Sequence, residues 1–341
     1  MRTLHIFNPE HEIALAANLT NFTAPHAGRQ LRADLGWLPA FWAKPGDAVL
    51  VGDVEYASRL FRRINAHCHL GLQEPEWTEN GLEHMDISRI DAWGWDAALR
   101  HQLFAKGLDE QLLPSESLIE EWRQTAHRRT AAKLLAQLRI EGTVGEAVEC
   151  QSINQVTNLE RLWQRVVVKS PWSSSGRGVR FCLQDGWLRN VLARQGSVMV
   201  EPYYNKVKDF AMEFEADGHG GIRFLGLSLF HTKNGAYIGN IVATEQTKRQ
   251  LLSKLLPLEL TDEVCRLIVT ESRLGSYQGP FGVDMMVVTD GQRLLLHPCV
   301  EINLRRTMGH VALALQPQDD EVMKVMRIEL TDHYKLRINK I

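Results

Sequence analysis

Long apolar runs are what this sequence most obviously lacks. None of its 341 residues belongs to a stretch approaching the roughly 18–20 apolar positions that span a bilayer, so no membrane partner is expected. The opening, MRTLHIFNPEHEIALAAN, lacks the extended apolar core of a secretion signal. An excess of one charge is missing as well. Lys and Arg number 39 against 41 Asp and Glu, a formal net charge of -2. That balance removes the electrostatic reason to expect a nucleic-acid partner, though it permits a local basic cleft. The five cysteines (Cys68, Cys150, Cys182, Cys265 and Cys299) are scattered, and none forms a CxxC pair. Such thiols fit a reducing, cytoplasmic setting better than a disulfide framework. Three fingerprints are also absent: GxxxxGK[ST], a GxGxxG after a strand, and the GxSxG elbow of hydrolases.

What is present is ordinary globular material, 44% hydrophobic and 23% charged, long enough for two domains. Leu4–Phe7 and Ala48–Gly52 read as strands, with a helix over 25–35 between them. Asp53 is placed to cap a helix over Val54–Ala66. Residues 70–95 read as irregular, and helices follow near 96–106 and 115–123. Strands alternating with helices imply a parallel sheet. A helix from about Thr125 carries Arg128, Arg129 and Lys133. Beyond Arg165 the pattern is strand, Ser/Gly segment, strand, helix, strand. From residue 209 to 245 it changes to a β-meander, so one lobe is expected to end near 200.

Two segments carry chemistry. Val166–Lys169 is a β-branched run that delivers a lysine at its end, and PWSSSGRG follows it. Glycine and serine let backbone and hydroxyl donors approach a polyphosphate, with the lysine as a point charge. A solvent loop joining two hairpin strands is the equal alternative. Further on, FGVD sets Asp284 in an apolar strand, and LLLHPCVEIN sets Glu301 and Asn303 two apart, on one face. An antiparallel pairing across the turn at Thr289–Asp290–Gly291 would bring Asp284 beside Glu301. Two carboxylates and an amide oxygen suit Mg2+, and burying the acids without a cation would cost several kcal/mol.

In this order the motifs resemble the ATP-grasp superfamily over roughly residues 125–315, with D-alanine–D-alanine ligases and carbamoyl-phosphate-synthetase-type enzymes as the nearest patterns. The resemblance implies an α/β N-terminal pre-ATP-grasp domain with a parallel sheet over 1–120. It also implies an ATP-grasp domain over 121–341, α+β in its C-terminal lobe. That domain divides into a nucleotide lobe about 125–200, a metal-binding lobe about 201–315 and a tail 316–341. Lys169 then matches the lysine on adenine and α-phosphate, and Ser173, Ser174, Ser175, Gly176 and Gly178 match the loop over the outer phosphates. Glu201, Pro202 and Tyr203 match the adenine-binding hinge, and Asp209 the ribose acid. Asp284, Glu301 and Asn303 match the metal set, for Mg2+ with Mn2+ as substitute ion. Arg305 matches the arginine on the transferred phosphate. The earlier phosphate ligand is Arg129 or Lys133, with Arg129 preferred, and Lys233 is a further candidate.

The implied reaction is ATP-dependent ligation of a small-molecule carboxylate to an amine, on an amino acid or peptide-like substrate. A small-molecule kinase and a non-catalytic nucleotide-binding homologue are the alternatives, and a homodimer is open. The chain departs from the pattern on the acceptor side. Gly282-Val283 stands where the D-alanine ligases carry an arginine, and EINLRRTMG replaces ExNxRPG.

Five other features invite a role. His67-Cys68-His69 would share a strand face for zinc, but no further ligands follow at a recognised spacing. Asn8–Glu12, after a strand end, is either part of an acceptor site or a turn with a helix cap. His127–Arg129 is otherwise the polar face of a helix. Trp172 is either core or part of a lid, and Trp93-Gly94-Trp95 is aromatic and open to exposure.

Overall fold

In the computed structural model residues 2–173, 178–181, 185–233 and 236–340 are described, without the side chains of Lys233 and Ala236. The chain forms two compact units. Residues 1–123, 239–244 and 305–341 make the first, and 124–238 with 245–304 make the second.

The first unit begins with β1 (Arg2–Ile6), α1 (His11–Ala17), α2 (His26–Leu35), β2 (Ala48–Leu50) and α3 (Val54–Cys68). It continues with β3 (Glu76–Thr78), β4 (Ile87–Ala92), α4 (Ala97–Ala105) and α5 (Glu116–Thr125). Its four strands are all parallel, in the order β3-β2-β1-β4. Asp53 caps α3 as expected, its Oδ1 accepting the Tyr56 N–H at 2.8 Å. Two expectations fail here. Residues 70–95 are not irregular throughout, because they hold β3 and β4. These are the two edge strands, one of three residues and the other (ISRIDA) half polar, so neither shows a buried apolar run. His67-Cys68-His69 is not a strand but the end of α3, closed by His69 at φ 53. The shared face a zinc pair needs does not form there. Among the described residues, no three His, Cys, Asp or Glu side chains converge on a metal position.

The second unit opens with α6 (Arg129–Gln137), β5 (Val148–Cys150), α7 (Ile153–Trp163), β6 (Val166–Lys169), β7 (Val179–Arg180), α8 (Asp185–Gln195) and β8 (Val198–Pro202). Its small sheet runs β5-β8-β6-β7, every pairing antiparallel. Val156, Val166, Val168, Leu188, Val198 and Val200 form its core. There follow β9 (Asn205–Asp217), β10 (Ile222–Lys233), β11 (Ala236–Val242), α9 (Glu245–Leu252), α10 (Leu258–Glu271), β12 (Gln278–Thr289) and β13 (Leu294–Asn303). In this part β13, β12, β9 and β10 pair in that order, again antiparallel. Phe214 and Phe281 stack across β9 and β12 at 5.2 Å.

The chain ends with α11 (Met308–Ala314), β14 (Lys324–Leu330) and β15 (Tyr334–Lys340), which form an antiparallel hairpin beside residues 240–242. This tail, expected to belong with 121–315, belongs to the first unit. Met326, Leu336 and Ile338 bury in one apolar cluster with Trp37, Phe41 and Phe61. No helix of the described residues is long and apolar enough to cross a membrane.

Candidate functional site

The acidic pair forms by strand register. In the β12–β13 hairpin Asp284 lies directly opposite Glu301, and Gly282 opposite Asn303. The turn predicted at Thr289–Gly291 is there. Asp290 Oδ1 accepts the N–H groups of Gln292 and Arg293 at 3.0 Å each, and Gly291 takes φ +95. The hairpin lies among buried apolar neighbours, Val283, Met285, Cys299 and Ile302. The donor set is therefore two carboxylates and an amide oxygen, all hard ligands that fit Mg2+ better than a soft metal.

A cation meets this pair from the segment before α6. Arg128 is buried, and its Nη2 donates to Glu301 Oε1 at 2.6 Å. Its Nε and Nη1 are buried with no hydrogen-bond partner. A buried guanidinium with two unsatisfied nitrogens costs free energy unless a ligand supplies oxygens. Sequence reasoning favoured Arg129, which instead pairs with Glu149 at 3.1 Å, half-exposed. Lys133 is exposed on α6. His127 and Arg128 are buried, so that segment is no solvated polar face. The loop after α6 is fastened to β13, Val144 N donating to Leu296 O at 2.8 Å and Leu296 N to Gly142 O at 3.0 Å.

Lys169 ends β6 as predicted. It is buried against Glu201 of β8, with Nζ–Oε1 2.7 Å, and Nζ also approaches Val300 O at 3.4 Å. The pair arises because β6 and β8 are antiparallel with Val167 opposite Glu201. Cys299 shows how these groups converge. Burial, reinforced by Glu201, Asp284 and Glu301, pushes its thiol well above the ordinary range, with Lys169 opposing them. Cys299 thus stays a neutral thiol, not a nucleophile.

At the base of the Ser/Gly segment, Ser170 N donates to Gly178 O at 2.8 Å. A side chain at Gly178 would strike Ser170 and Ser173, so this closure demands glycine. Ser173 Oγ is buried without a partner. Ser174, Ser175 and Gly176 lie outside the described residues, as does the Lys233 side chain. Trp172 packs edge-on against His127 at 4.7 Å, the core reading rather than the lid. Pro202 ends β8. Tyr203 follows with its ring under the Arg165 guanidinium, 3.9 Å from the centroid. Asp209 pairs with Lys206 at 2.6 Å and accepts from Thr232 Oγ1 at 2.5 Å.

A group that sequence reasoning passed over is His297 on β13. It is fully buried, and neither ring nitrogen has a hydrogen-bond partner. Burial, with the nearby Lys169 charge, lowers its pKa to about 3, so it is a neutral imidazole. It packs against Tyr204, with ring centroids 5.3 Å apart. In the sequence it reads as one polar letter in an apolar strand.

Arg305 and Arg306 belong to the first unit. Arg305 Nη2 sits on Glu12 Oε1 at 2.6 Å. Arg306, standing where the proline of ExNxRPG would be, grips both oxygens of Asp91 at 3.0 and 2.8 Å and covers the Trp42 ring. The same unit absorbs Asn8–Glu12. Asn8 donates to Gly94 O at 2.7 Å and His11 Nδ1 lies 3.2 Å from Asp96 Oδ2. Glu10, at the helix cap position, makes no side-chain cap bond. Trp93 is core, edge-on to Phe7 at 4.8 Å.

No model of a known protein family matches the sequence, and no curated protein does. Solved structures do match it in shape. An N5-carboxyaminoimidazole synthetase from Staphylococcus aureus, complexed with ADP, aligns over 96% of this chain and 82% of its own, at 14% identity and TM-score 0.51. The biotin carboxylase domain of Hydrogenobacter thermophilus 2-oxoglutarate carboxylase, with MgADP, ADP and bicarbonate, aligns over 96% of this chain and 74% of its own, at 12% identity and TM-score 0.53. A protein from Archaeoglobus fulgidus described as an ATP-grasp superfamily member covers 100% of both chains at 14% identity and TM-score 0.50. Together with the parallel sheet and the antiparallel lobes, these likenesses identify the architecture: the chain has the ATP-grasp fold.

Proposed function

We propose that the second unit binds ATP with Mg2+ and that the chain is a ligase, activating a carboxylate as an acylphosphate for attack by an amine. The observation that carries this reading is the buried Arg128, one nitrogen on Glu301 and two with no partner, beside the Asp284–Glu301 register pair. Such a cation is placed to receive phosphate oxygens. Asp284, Glu301 and Asn303 would hold the metal, which when bound neutralises charge on the phosphates. Arg128 and Lys169 would orient the phosphate chain, and the Ser173 hydroxyl would donate to it. Glu201, Pro202 and Tyr203 would form the base edge of the site, and Asp209 would accept from the ribose. The γ-phosphoryl group passes to a carboxylate oxygen, releasing ADP. An amine then attacks the acyl carbon and phosphate leaves, so the chain must exclude water in between.

The synthetase and the biotin carboxylase domain are both described in complex with ADP, which supports a nucleotide in this fold and leaves the acceptor open. An amino acid or peptide-like acceptor is our reading. The test measures ADP and free phosphate with ATP, Mg2+ and paired amino acids. A ligase forms both only when carboxylate and amine substrates are present, and Glu301→Gln abolishes the signal. ADP with a phosphorylated product and no free phosphate would make the chain a kinase. Absence of ADP with every pair would make it a non-catalytic nucleotide binder.

A further inference from the structure

The first unit has a cavity of its own, about 520 Å3 in volume, lined by residues that follow β1, β2 and β3 and by α2 and α4. It lies at the carboxyl ends of a parallel sheet, where open α/β sheets bind ligands, and its volume falls in the small-molecule range. Both signs of charge reach it. Glu10 Oε1 accepts from Arg32 Nη1 at 2.7 Å, while its Oε2 is buried and has no partner. Lys106 Nζ spends two donors, on Glu79 O at 3.0 Å and Asn80 Oδ1 at 2.9 Å, and an ammonium carries three. Arg29 lines the same space from α2. Between the charges the wall is apolar, with Phe7, Phe22 and Leu99.

We infer that this cavity binds a small zwitterion, an α-amino acid with a large apolar side chain. Glu10 takes its ammonium, Lys106 and Arg29 its carboxylate, and the aromatic wall its side chain. The charges lining the cavity balance, Glu10, Glu79 and Asp96 against Arg29, Arg32 and Lys106, so an anion alone, such as a phosphate ester, would tip them negative. An amine alone would tip them positive, and a zwitterion keeps the balance. The inference goes beyond the nucleotide reading, because binding here asks nothing of the second unit.

The test is calorimetric titration of the full chain without nucleotide, using L-phenylalanine, L-leucine, 3-phenylpropionate, phenethylamine and inorganic phosphate. L-phenylalanine or L-leucine should bind, and removing either charged group from the ligand should weaken binding at least 10-fold. Glu10→Gln should weaken amino-acid binding at least 10-fold. Lys106→Met, at an exposed position, should do the same, with thermal unfolding of the variant as the check on its fold. The proposal is overturned if neither amino acid binds, if phosphate binds more tightly than both, or if Lys106→Met binds them like the parent. ATP titrated into the same samples reads the second unit separately, so loss of one activity is distinguishable from loss of the other.

Discussion

Arg128 Nη2 lies 2.6 Å from Glu301 Oε1, a contact across 173 residues of sequence that joins the segment before α6 to the strand carrying the candidate metal ligands. In the function we propose, a triphosphate and its cation would meet here. Glu301 is partly exposed and Arg128 almost fully buried. The carboxylate can therefore turn to a metal while the arginine stays fixed.

If that is the role of Arg128, Arg128→Met should lower kcat by roughly 10²–10³, the usual loss on deleting one such electrostatic contact. Arg129→Met, whose side chain pairs with Glu149, should lose less than about 10-fold. Steady-state ATP turnover on the two variants separates the neighbours. Equal losses would return the assignment to Arg129.

His297 makes stability depend on pH. An ordinary imidazole protonates near 6.5, and this one only near 3 because it is buried and close to Lys169. Between those values the unfolded chain binds the extra proton. The contribution is complete above about pH 6.5 and is lost as pH falls, by about 2 kcal/mol between pH 7 and 5. Urea unfolding across that range should give a shallower pH slope for His297→Leu than for the parent chain. Identical slopes would mean that His297 keeps its proton in the fold.

Much of this could be read in the letters, and the rest depended on packing. Lys169 was legible because a β-branched run points to a strand end. Asp284 and Glu301 were legible as acids on two strands joined by a Thr-Asp-Gly turn, but the register at that turn would set Asp284 against Cys299, and only a bulge between Asp284 and Met286 brings Glu301 opposite it. Arg128 was not, since which of two adjacent arginines turns inward depends on where α6 starts, and tertiary contacts set that start. The tail 316–341 read as an appendage of the second domain. Its few apolar residues, Met326, Leu336 and Ile338, reveal their partners only in the fold.

Arg306 explains the departure from the family ending. Burial alone would raise the Asp91 pKa, but the Arg306 charge and the His5 hydrogen bond outweigh it and hold the carboxyl well below its usual range. Arg306→Met should therefore destabilise the chain, by less than the about 3–5 kcal/mol of a fully stranded buried charge, because Trp42 Nε1 still donates to Asp91 and His5 stays beside it. Thermal unfolding is the measurement. The paired replacement of Asp91 by Asn and Arg306 by Met should cost less than the sum of the single changes.

The most direct test of the nucleotide site is a thermal-shift titration of the full chain with ATP, with Mg2+ and with both, on the parent and on Glu301→Gln. At about 100 times Kd, ATP with Mg2+ should stabilise the parent by about 2.7 kcal/mol, more than ATP alone, and Glu301→Gln should erase the Mg2+-dependent part. A parent chain unmoved by ATP with Mg2+, or a Glu301→Gln variant that responds in full, would contradict the account.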